Sequence, residues 1–292
     1  MSANRVTIAL HGGSGATPGH DYSREIDNML RLVASARDRL DAGSSAIDVV
    51  TETVAALESS GLYIAGRGAS PNLAGRYELD ASLMDGSTRK AGAVASLCGF
   101  RSPIAAARAV MDVTPHVLYA GDGAAEFAGS QALPAVLDEK AWYTEACRFE
   151  SNRLPQSAPH GTVGCVALDR RGNLAAATST AGVFGKPPGR VGDSAIIGAG
   201  TWADDEVAVS CTGQGEFFIR SAAAVQVAHR VRFGGRTLAQ AADEVLGEVA
   251  ERGGAGGLIA VDSRGNVVMP FRSSGMKRAA LLADGSIVAE AL

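Results

Sequence analysis

The 292-residue sequence predicts an α+β fold in which sheets and helices form a layered sandwich. Strand-like runs lie on both sides of a polar connector in the middle of the chain, and amphipathic helices lie between these runs. A strand–turn–strand unit that begins at Thr162 also recurs as a near copy from Leu258. Because strands and helices do not alternate regularly, this order disfavours a βαβ fold.

The elements before the connector follow from residue spacing. A short aliphatic run at residues 6–10 ends at a glycine cluster and predicts a buried strand. Two amphipathic helices follow; Gly43 ends the first, and the capping pair Ser45 and Asp48 begins the second. Their predicted inward residues are Ile26, Met29, Leu30, Val33 and Leu40 in the first helix and Ile47, Val50, Val54 and Leu57 in the second. Strands at 77–84 and 91–97 and helices at 103–111 and 123–130 complete this half.

The connector covers residues 149–161, where hydrophobic periodicity stops and proline, serine, asparagine and glutamine accumulate. We predict an exposed segment there. A strand at 162–169, a turn at 171–173 and an antiparallel strand at 174–179 follow it. Helices at 216–231 and 238–252 then precede the second copy of the unit, at 258–269.

Composition limits the class of protein. Hydrophobic residues make up 46% of the chain and charged residues 20%, which is typical of a compact globular protein. A formal net charge of -4 with scattered Lys and Arg gives no global electrostatic reason to bind nucleic acid. We therefore expect a small-molecule substrate.

Cysteines and the N-terminus suggest a location. Cys98, Cys147, Cys165 and Cys211 form no CxxC pair, so neither a zinc knuckle nor a dithiol motif is indicated, and reduced core thiols are expected. The apolar run before the glycine cluster is too short for a signal peptide or a membrane span. A cytoplasmic protein without a membrane partner is the expectation.

Thr162 has an unusual sequence context. It follows a glycine, begins a hydrophobic strand and stands at the end of the exposed connector. A threonine hydroxyl is a weak nucleophile unless a base takes its proton, and a free α-amino group on the same residue has a suitable pKa. Cleavage before Thr162 would create that base. From position alone, an ordinary strand threonine is the simpler interpretation.

Several motifs in fixed order change that interpretation. They are HGGSG, ELDASLMDG, KAGAVA, TPHVL, HGTVGCVALD, GNLAAATSTAG, PGRVGDSAIIGAG and SCTGQGEFFIR. Together they cover nearly the whole chain, and the set resembles the isoaspartyl peptidase and plant-type asparaginase family of N-terminal-nucleophile (Ntn) hydrolases. The resemblance implies hydrolysis of β-aspartyl dipeptides to release L-aspartate, with weak L-asparaginase activity.

The resemblance also implies an architecture. Residues 1–292 would form one domain, a four-layer αββα sandwich of the Ntn-hydrolase type. Self-cleavage between Gly161 and Thr162 would give an α subunit, 1–161, and a β subunit, 162–292. Two such αβ units are expected to associate into a homo-oligomer.

The same resemblance assigns the reacting groups. Thr162 is the expected nucleophile in both self-cleavage and turnover, and its free amine is the expected base. Thr180 matches the threonine that hydrogen-bonds the nucleophile. Thr212 and Gly213 match the oxyanion hole, which suits a strand-to-helix junction where N–H and hydroxyl donors point outward.

Substrate-binding residues follow in the same way. Arg190 matches the residue that grips the α-carboxylate of the aspartyl group, and Asp193 matches the one that binds its α-ammonium. Thr212 and Gly213 also contact the substrate, and Gly215 falls where a backbone carbonyl meets the ammonium. No cofactor is expected for the chemistry.

A loop of the family binds sodium through backbone carbonyls, which suits a hard cation. The implied ligands here are the carbonyls of Leu57, Glu58, Ser60, Tyr63, Ala65 and Arg67. The chain departs from the family at Ile64, where many relatives have asparagine, and in the segment RGASPN at residues 67–72. This change predicts an altered leaving-group preference, with β-aspartyl-arginine as one candidate.

Other functions remain as alternatives. They are a dedicated L-asparaginase, a glycosylasparaginase-like amidase and an uncleaved, non-catalytic homologue. The five histidines show no metal-ligand spacing. The HGGSG loop lacks the remaining residues of a phosphate-binding motif, so we predict that it packs beside the active site.

Overall fold

A computed structural model describes residues 6–144 and 161–292. The connector predicted at 149–161 therefore lies outside the described residues, apart from Gly161. The described helices are α1 Ser23–Asp41, α2 Ala46–Ser60, α3 Pro103–Val113, α4 Gly121–Ser130, α5 Glu139–Trp142, α6 Gly215–Ser221, α7 Ala223–Arg232 and α8 Leu238–Glu251.

The strands of the first half are β1 Thr7–His11, β2 Leu79–Asp85, β3 Ala91–Leu97 and β4 Leu118–Ala120. Those of the second half are β5 Val163–Leu168, β6 Leu174–Thr180, β7 Thr201–Ala203, β8 Val207–Gly213, β9 Gly256–Asp262, β10 Val267–Val268, β11 Phe271–Arg272, β12 Arg278–Leu281 and β13 Ile287–Glu290.

The strands form two sheets. The first is eight-stranded in the order β13-β12-β1-β5-β6-β2-β3-β4, antiparallel except where β3 meets β4. The second is five-stranded; β10, β9, β8 and β7 follow in order, and β11 also pairs with β9. Strands from before and after the connector therefore share the larger sheet, which joins both halves of the chain.

Three apolar clusters separate the layers. One lies between the larger sheet and helices α1 to α3, with Leu10, Leu57 and Leu83 fully buried. A second lies between the smaller sheet and α6 to α8. The third fills the space between the two sheets, where alanines such as Ala176 and Ala208 lie among larger residues such as Met84 and Ile259. Largely antiparallel sheets and helices occur together without regular alternation, so the mixed α+β prediction is confirmed.

Most predicted elements are present, with two differences. Ser45 caps α2 as predicted, because its Oγ accepts the backbone N–H of Asp48 at 3.3 Å. Leu30, predicted to face the core, is 36% exposed. The single helix predicted at 216–231 is two helices, because Ala222 adopts a left-handed conformation with φ 45° and ψ 47°. No glycine or proline marks that break in the sequence.

The two strand–turn–strand units have the same hydrogen bonds in their turns. In the first copy, Asp169 Oδ1 accepts the backbone N–H groups of Arg171 and Asn173 at 2.8 and 2.9 Å. In the second copy, Asp262 Oδ1 accepts those of Arg264 and Asn266, both at 2.9 Å. The two copies lie in different sheets, so the same turn closes one hairpin in each.

Within the described ranges, no helix has both the length and the apolar character needed to cross a bilayer.

The left-handed residue between α6 and α7 gives a stability prediction. An alanine in this region carries backbone strain of about 1 kcal/mol that glycine does not carry. We expect Ala222→Gly to raise the free energy of unfolding by about 0.5–1 kcal/mol in urea titrations. Ala34→Gly, within α1, should instead lower it by about 1 kcal/mol. A loss of stability in Ala222→Gly equal to that in Ala34→Gly would contradict the strain.

Candidate active site

Thr162 lies directly before β5, opposite the last residue of β6. The hairpin pairs Val163 with Ser179, so the next pair outward is Thr162 with Thr180. The Thr162 hydroxyl lies 3.3 Å from the Thr180 Oγ1, and both residues are buried. Antiparallel pairing therefore brings two residues predicted to be catalytic into contact.

The hydrogen bonds of Thr180 have one consistent direction. Its hydroxyl donates to the carbonyl oxygen of Gly161 at 2.6 Å. Because a hydroxyl has one hydrogen, its oxygen accepts the other two contacts, from the Thr162 hydroxyl and from the backbone N–H of Gly182 at 2.9 Å. Thr180 thus links the Thr162 hydroxyl to the carbonyl of the peptide bond that precedes it.

A small open cleft lies in front of this pair. Its lining residues are Gly161, Thr162, Thr180, Gly182, Val183, Arg190, Gly192, Asp193, Ser194 and Gly213. The structure therefore brings Thr162, Thr180, Arg190, Asp193 and Gly213 together.

Arg190 is held by a residue that the sequence analysis did not select. Its Nε and Nη2 donate to Glu216 Oε1 at 3.0 and 2.8 Å. Nη1 points the other way, towards Gly182 and Gly192 in the cleft lining. The ion pair with Glu216 leaves one edge of the guanidinium directed at the cleft.

Asp193 is a buried carboxylate at the other side of the cleft. Its Oδ2 makes no hydrogen bond with any described residue. Burial raises the pKa of Asp193 to about 7, although the nearby Arg190 charge opposes this rise. Gly215 packs against Asp193, since a Cβ on Gly215 would stand 2.9 Å from its Oδ1. A cationic group in the cleft would supply the partner that Oδ2 lacks.

A buried lysine supports the loop that carries Arg190. Lys186 Nζ donates to the Glu78 carbonyl at 2.9 Å and lies 3.9 Å from Asp80 Oδ2. Burial raises the pKa of Asp80 and lowers that of Lys186. The Glu78 carboxylate accepts the backbone N–H of Gly189 at 3.0 Å. These contacts fix the loop on both sides of its turn.

The predicted oxyanion residues lie at the end of β8. Gly213 lines the cleft, whereas Thr212 is fully buried beneath it. Thr212 Oγ1 accepts the backbone N–H of Ser14 at 3.3 Å, which joins the HGGSG loop to this strand end. The prediction that this loop packs beside the site is consistent with that contact.

The predicted sodium loop follows the end of α2. The carbonyls of Leu57, Tyr63 and Ala65 each accept a hydrogen bond from within the loop, at 2.7, 2.8 and 3.1 Å. A carbonyl oxygen has two lone pairs, so these bonds do not exclude a cation. The Arg67 carbonyl accepts the backbone N–H of Thr144 at 2.9 Å and lies 3.3 Å from its hydroxyl, so it fits less well.

The side chain of Glu58 anchors this loop to the next helix. It accepts the Ser102 hydroxyl at 2.5 Å and the backbone N–H of Ile104 at 3.0 Å, at the start of α3. Burial raises the pKa of Glu58 to about 7. Among the described residues, no cluster of His, Cys, Asp and Glu side chains could hold a metal ion.

Ile64 explains why residue 161 is a glycine. A Cβ on Gly161 would overlap the Cβ of Ile64 and stand 2.5 Å from its Cγ1. The backbone carbonyl of Ile64 accepts the N–H of Ala181 at 3.0 Å, which keeps the loop beside the end of β6. The residue at which this chain departs from the resembled family therefore touches the residue before Thr162.

His11 lies behind the nucleophile, at the end of β1. Its Nδ1 is 3.2 Å from the Thr162 carbonyl oxygen, and its Nε2 is 2.9 Å from the Ser210 hydroxyl. A Cβ on Gly164 would overlap both Nε2 of His11 and Oγ of Ser210. The absent side chain of Gly164 gives these two groups their space. The HGGSG, HGTVGCVALD and SCTGQGEFFIR motifs contained these residues, but spacing alone could not show that they meet.

The fold and this cleft together have the layout of a hydrolase for small molecules. A family model described as asparaginase matches residues 4–289. The isoaspartyl peptidase of Salmonella typhimurium is 47% identical over 94% of this chain and 95% of its own length. That of Escherichia coli is 45% identical over 94% and 92%. The human isoaspartyl peptidase/L-asparaginase is 39% identical over 95% and 93%. The chain belongs to this asparaginase family.

The close approach at Gly164 can be tested by stability. We expect Gly164→Ala to lower the free energy of unfolding by about 2 kcal/mol or more, because its methyl group would displace two buried polar side chains. Gly247→Ala is the matched control, since Gly247 lies within α8 and its Cβ would meet no atom within 4 Å. That control should gain about 1 kcal/mol. Equal stability of the two variants would contradict the crowding.

Proposed function

We propose that this chain is a self-processing threonine hydrolase that releases L-aspartate from β-aspartyl dipeptides. The observation that carries the proposal is the shared cleft of the Thr162 hydroxyl, the Arg190 guanidinium and the Asp193 carboxylate. The names of relatives at 39–47% identity support the same substrate class.

The charges of the cleft suit an amino-acid zwitterion. The cleft-facing edge of Arg190 would donate to the α-carboxylate, and the unpaired Oδ2 of Asp193 would accept from the α-ammonium. An aspartyl group held at both charges projects its side-chain carbonyl away from them. Thr162 lies in the same cleft, where it would meet that carbonyl.

Self-cleavage would begin on the bond before Thr162. The Thr180 hydroxyl polarises the Gly161 carbonyl, to which it donates at 2.6 Å. Attack by the Thr162 oxygen on the Gly161 carbonyl carbon forms an ester and breaks the C–N bond, and the released nitrogen takes a proton. Water then hydrolyses the ester, giving a Gly161 carboxylate and restoring the Thr162 hydroxyl.

Turnover would repeat this chemistry on the substrate. The free amine of Thr162 takes the hydroxyl proton, and the oxygen attacks the aspartyl side-chain carbonyl. Donors of Thr212 and Gly213 would stabilise the negative oxygen that develops. The leaving amine departs with a proton, and water hydrolyses the aspartyl ester to L-aspartate. Thr180, which now accepts from the Thr162 hydroxyl, would no longer donate to Gly161 and could donate to the nucleophile oxygen.

The proposal extends to architecture. The helix and sheet layers would be the four-layer αββα arrangement of Ntn hydrolases, cut into residues 1–161 and 162–292. Two αβ units would pair. A sodium ion would be held by the carbonyls of Leu57, Glu58, Ser60, Tyr63, Ala65 and Arg67, where it would stiffen the loop beside Ile64 without taking part in a bond-breaking step.

L-Asparaginase activity is a second candidate. The human relative carries both activities in its name. Free asparagine offers the same α-carboxylate and α-ammonium to Arg190 and Asp193, but its leaving group is ammonia. Ile64 is buried against Gly161, and cleavage before Thr162 would release Gly161 from this contact and expose the apolar side chain. A leaving amino acid would then gain contacts that ammonia lacks. We therefore propose that asparagine is the weaker substrate.

The nucleophile is tested by Thr162→Ala. This variant should remain one folded chain and release no aspartate, because the attacking oxygen is absent. Intact mass under denaturing conditions and aspartate release from a panel of β-aspartyl dipeptides and asparagine would measure both effects. Thr162→Ser keeps a hydroxyl and should still split before residue 162. Splitting or turnover in Thr162→Ala would remove Thr162 from both reactions.

The pH dependence of substrate binding should reveal the protonation state of the Asp193 carboxyl. Below pH about 7 the free protein holds Asp193 protonated, and a neutral carboxyl cannot pair with the substrate ammonium. We expect kcat/KM to fall as pH drops below 7, approaching tenfold per pH unit. The dipeptide ammonium holds Asp193 ionised once bound, so kcat should lack this ionisation. Charges facing Asp193 are those of Arg190, Glu216 and Asp80.

Two comparisons separate Asp193 from the Thr162 amine. An ionisation of the amine, with a reference pKa of about 7.7–8.0, would affect kcat as well as kcat/KM. Asp193→Asn should bind substrate weakly and should lose the ionisation near pH 7. If the ionisation near pH 7 persists in Asp193→Asn, it belongs to another group.

A further inference from the structure

His11 is fully buried between the two sheets, and both of its ring nitrogens are engaged. Nδ1 faces the Thr162 carbonyl at 3.2 Å, and Nε2 faces the Ser210 hydroxyl at 2.9 Å. Burial lowers the pKa of His11 to about 3, so the ring is neutral near neutral pH. A neutral imidazole has one donor and one acceptor nitrogen.

The partners decide which nitrogen carries the proton. A carbonyl oxygen can only accept, so Nδ1 is the donor towards Thr162. Nε2 is then the acceptor, and the Ser210 hydroxyl donates to it. Only this tautomer satisfies both contacts of His11.

The Ser210 oxygen can in turn accept a hydrogen bond from the first of a row of buried hydroxyls, here called the hydroxyl line. Thr178 Oγ1 lies 2.7 Å from Ser210 Oγ, Thr201 Oγ1 donates to Thr178 Oγ1 at 2.6 Å, and Ser82 Oγ donates to Thr201 Oγ1 at 2.8 Å. All four hydroxyl residues are fully buried. With one hydrogen per hydroxyl, every bond can point the same way, from Ser82 through Ser210 to His11.

Two carbonyls lie beside this line. Ser82 Oγ is 2.7 Å from the Ser194 carbonyl, and Thr178 Oγ1 is 3.3 Å from the Gly200 carbonyl. If Ser82 donates to Ser194, its contact with Thr201 has no hydrogen and the line begins at Thr201, but the bonds from Thr201 to His11 keep their direction. The longer contact of Thr178 competes weakly with its 2.7 Å bond to Ser210. The direction of donation at His11 is therefore preserved.

The carbonyl to which His11 donates is that of Thr162, the residue expected to become a chain end. Strand pairing begins only at Val163, one residue later. After cleavage before Thr162, the peptide bond to Gly161 no longer restrains it, and a first residue without such contacts frays. The bond from His11 would then fix the Thr162 carbonyl and, with it, the direction of the amine and the hydroxyl.

We propose that His11 is a positioning residue for the nucleophile, locked as the Nδ1–H tautomer by the hydroxyls of Ser210, Thr178 and Thr201. The proposal rests on the proposed function of Thr162. His11 does not line the cleft and does not touch the substrate, which Arg190 and Asp193 would hold. Its loss should therefore act on kcat and leave KM little changed.

The kinetic test compares donors at one position. His11→Leu should lower kcat about 100-fold per processed chain, because a displacement of the nucleophile of about 1 Å has that effect. His11→Asn can place an amide N–H where Nδ1 stood and should recover most of the loss, whereas His11→Gln reaches the Nε2 position and should not. Ser210→Ala should lower kcat, because the tautomer is no longer locked. Intact mass gives the processed fraction for each variant.

Thr7→Val is the matched control. Thr7 is a buried hydroxyl residue on β1, the strand that carries His11, and it is not part of the hydroxyl line. Its kcat should equal that of the unaltered chain. A kcat loss in Thr7→Val as large as that in His11→Leu would show that disruption of β1, not the bond to Thr162, lowers the rate.

Nitrogen-15 NMR tests the tautomer independently of turnover. The His11 signals, assigned by their absence in His11→Asn, should show a protonated Nδ1 and a bare Nε2 that stay unchanged down to pH 5. A protonated Nε2 would overturn the proposal, as would a normal kcat in His11→Leu or a change confined to KM. If the unaltered chain neither splits nor releases aspartate, the proposed function fails, while the tautomer alone still decides the hydrogen-bond assignment.

Discussion

The register of β5 against β6 is the constraint on which the rest of the site depends. The pairing of Val163 with Ser179 sets Thr162 opposite Thr180, and the turn closed by Asp169 fixes that pairing from the far end of the hairpin. Side chains alternate along a strand, so a slip of one residue would send the Thr180 hydroxyl to the opposite face. The Gly161 carbonyl would then lose its donor. A short polar turn on the outside of the sheet therefore sets the geometry of the cleft at its other end.

The charges around the cleft are arranged so that each is incompletely neutralised by the protein. Glu216 takes one edge of Arg190 and leaves the other towards the cleft, while burial leaves Asp193 with an unpaired oxygen. A buried carboxylate without a partner is costly, and a bound ammonium would remove much of that cost. The empty site would thus be the least stable state, and we propose that it selects a ligand with both signs of charge at fixed spacing.

The features predicted correctly from the sequence are those that depend on a local pattern of residues. The hairpin from residue 162, its repeat from residue 258 and the cap at Ser45 follow from periodicity and turn chemistry over a few residues. The ion pair of Arg190 with Glu216 and the contact of His11 with Thr162 join residues 26 and 151 positions apart, which no local pattern specifies. The break at Ala222 was missed for a different reason, because a strained alanine leaves no mark in the sequence. Ordered motifs pointed to Arg190 and Asp193 only through resemblance, and the structure supplied the physical reason why the two would act together.

The strand order of the larger sheet has a consequence for a chain cut before Thr162. Strand β1, from the piece before Thr162, lies between β12 and β5 of the other piece. The β5–β6 pair, from the piece that begins at Thr162, lies between β1 and β2. Each piece therefore has strands flanked on both sides by strands of the other piece. The two pieces could separate only by breaking whole ladders, which is equivalent to unfolding. In such a chain the covalent link would bring the strands together during folding and would no longer be required afterwards. A mature protein of this kind should survive the cut indefinitely and yet fail to reassemble readily once denatured, so its lifetime would be set by the height of the unfolding barrier rather than by an equilibrium between its parts.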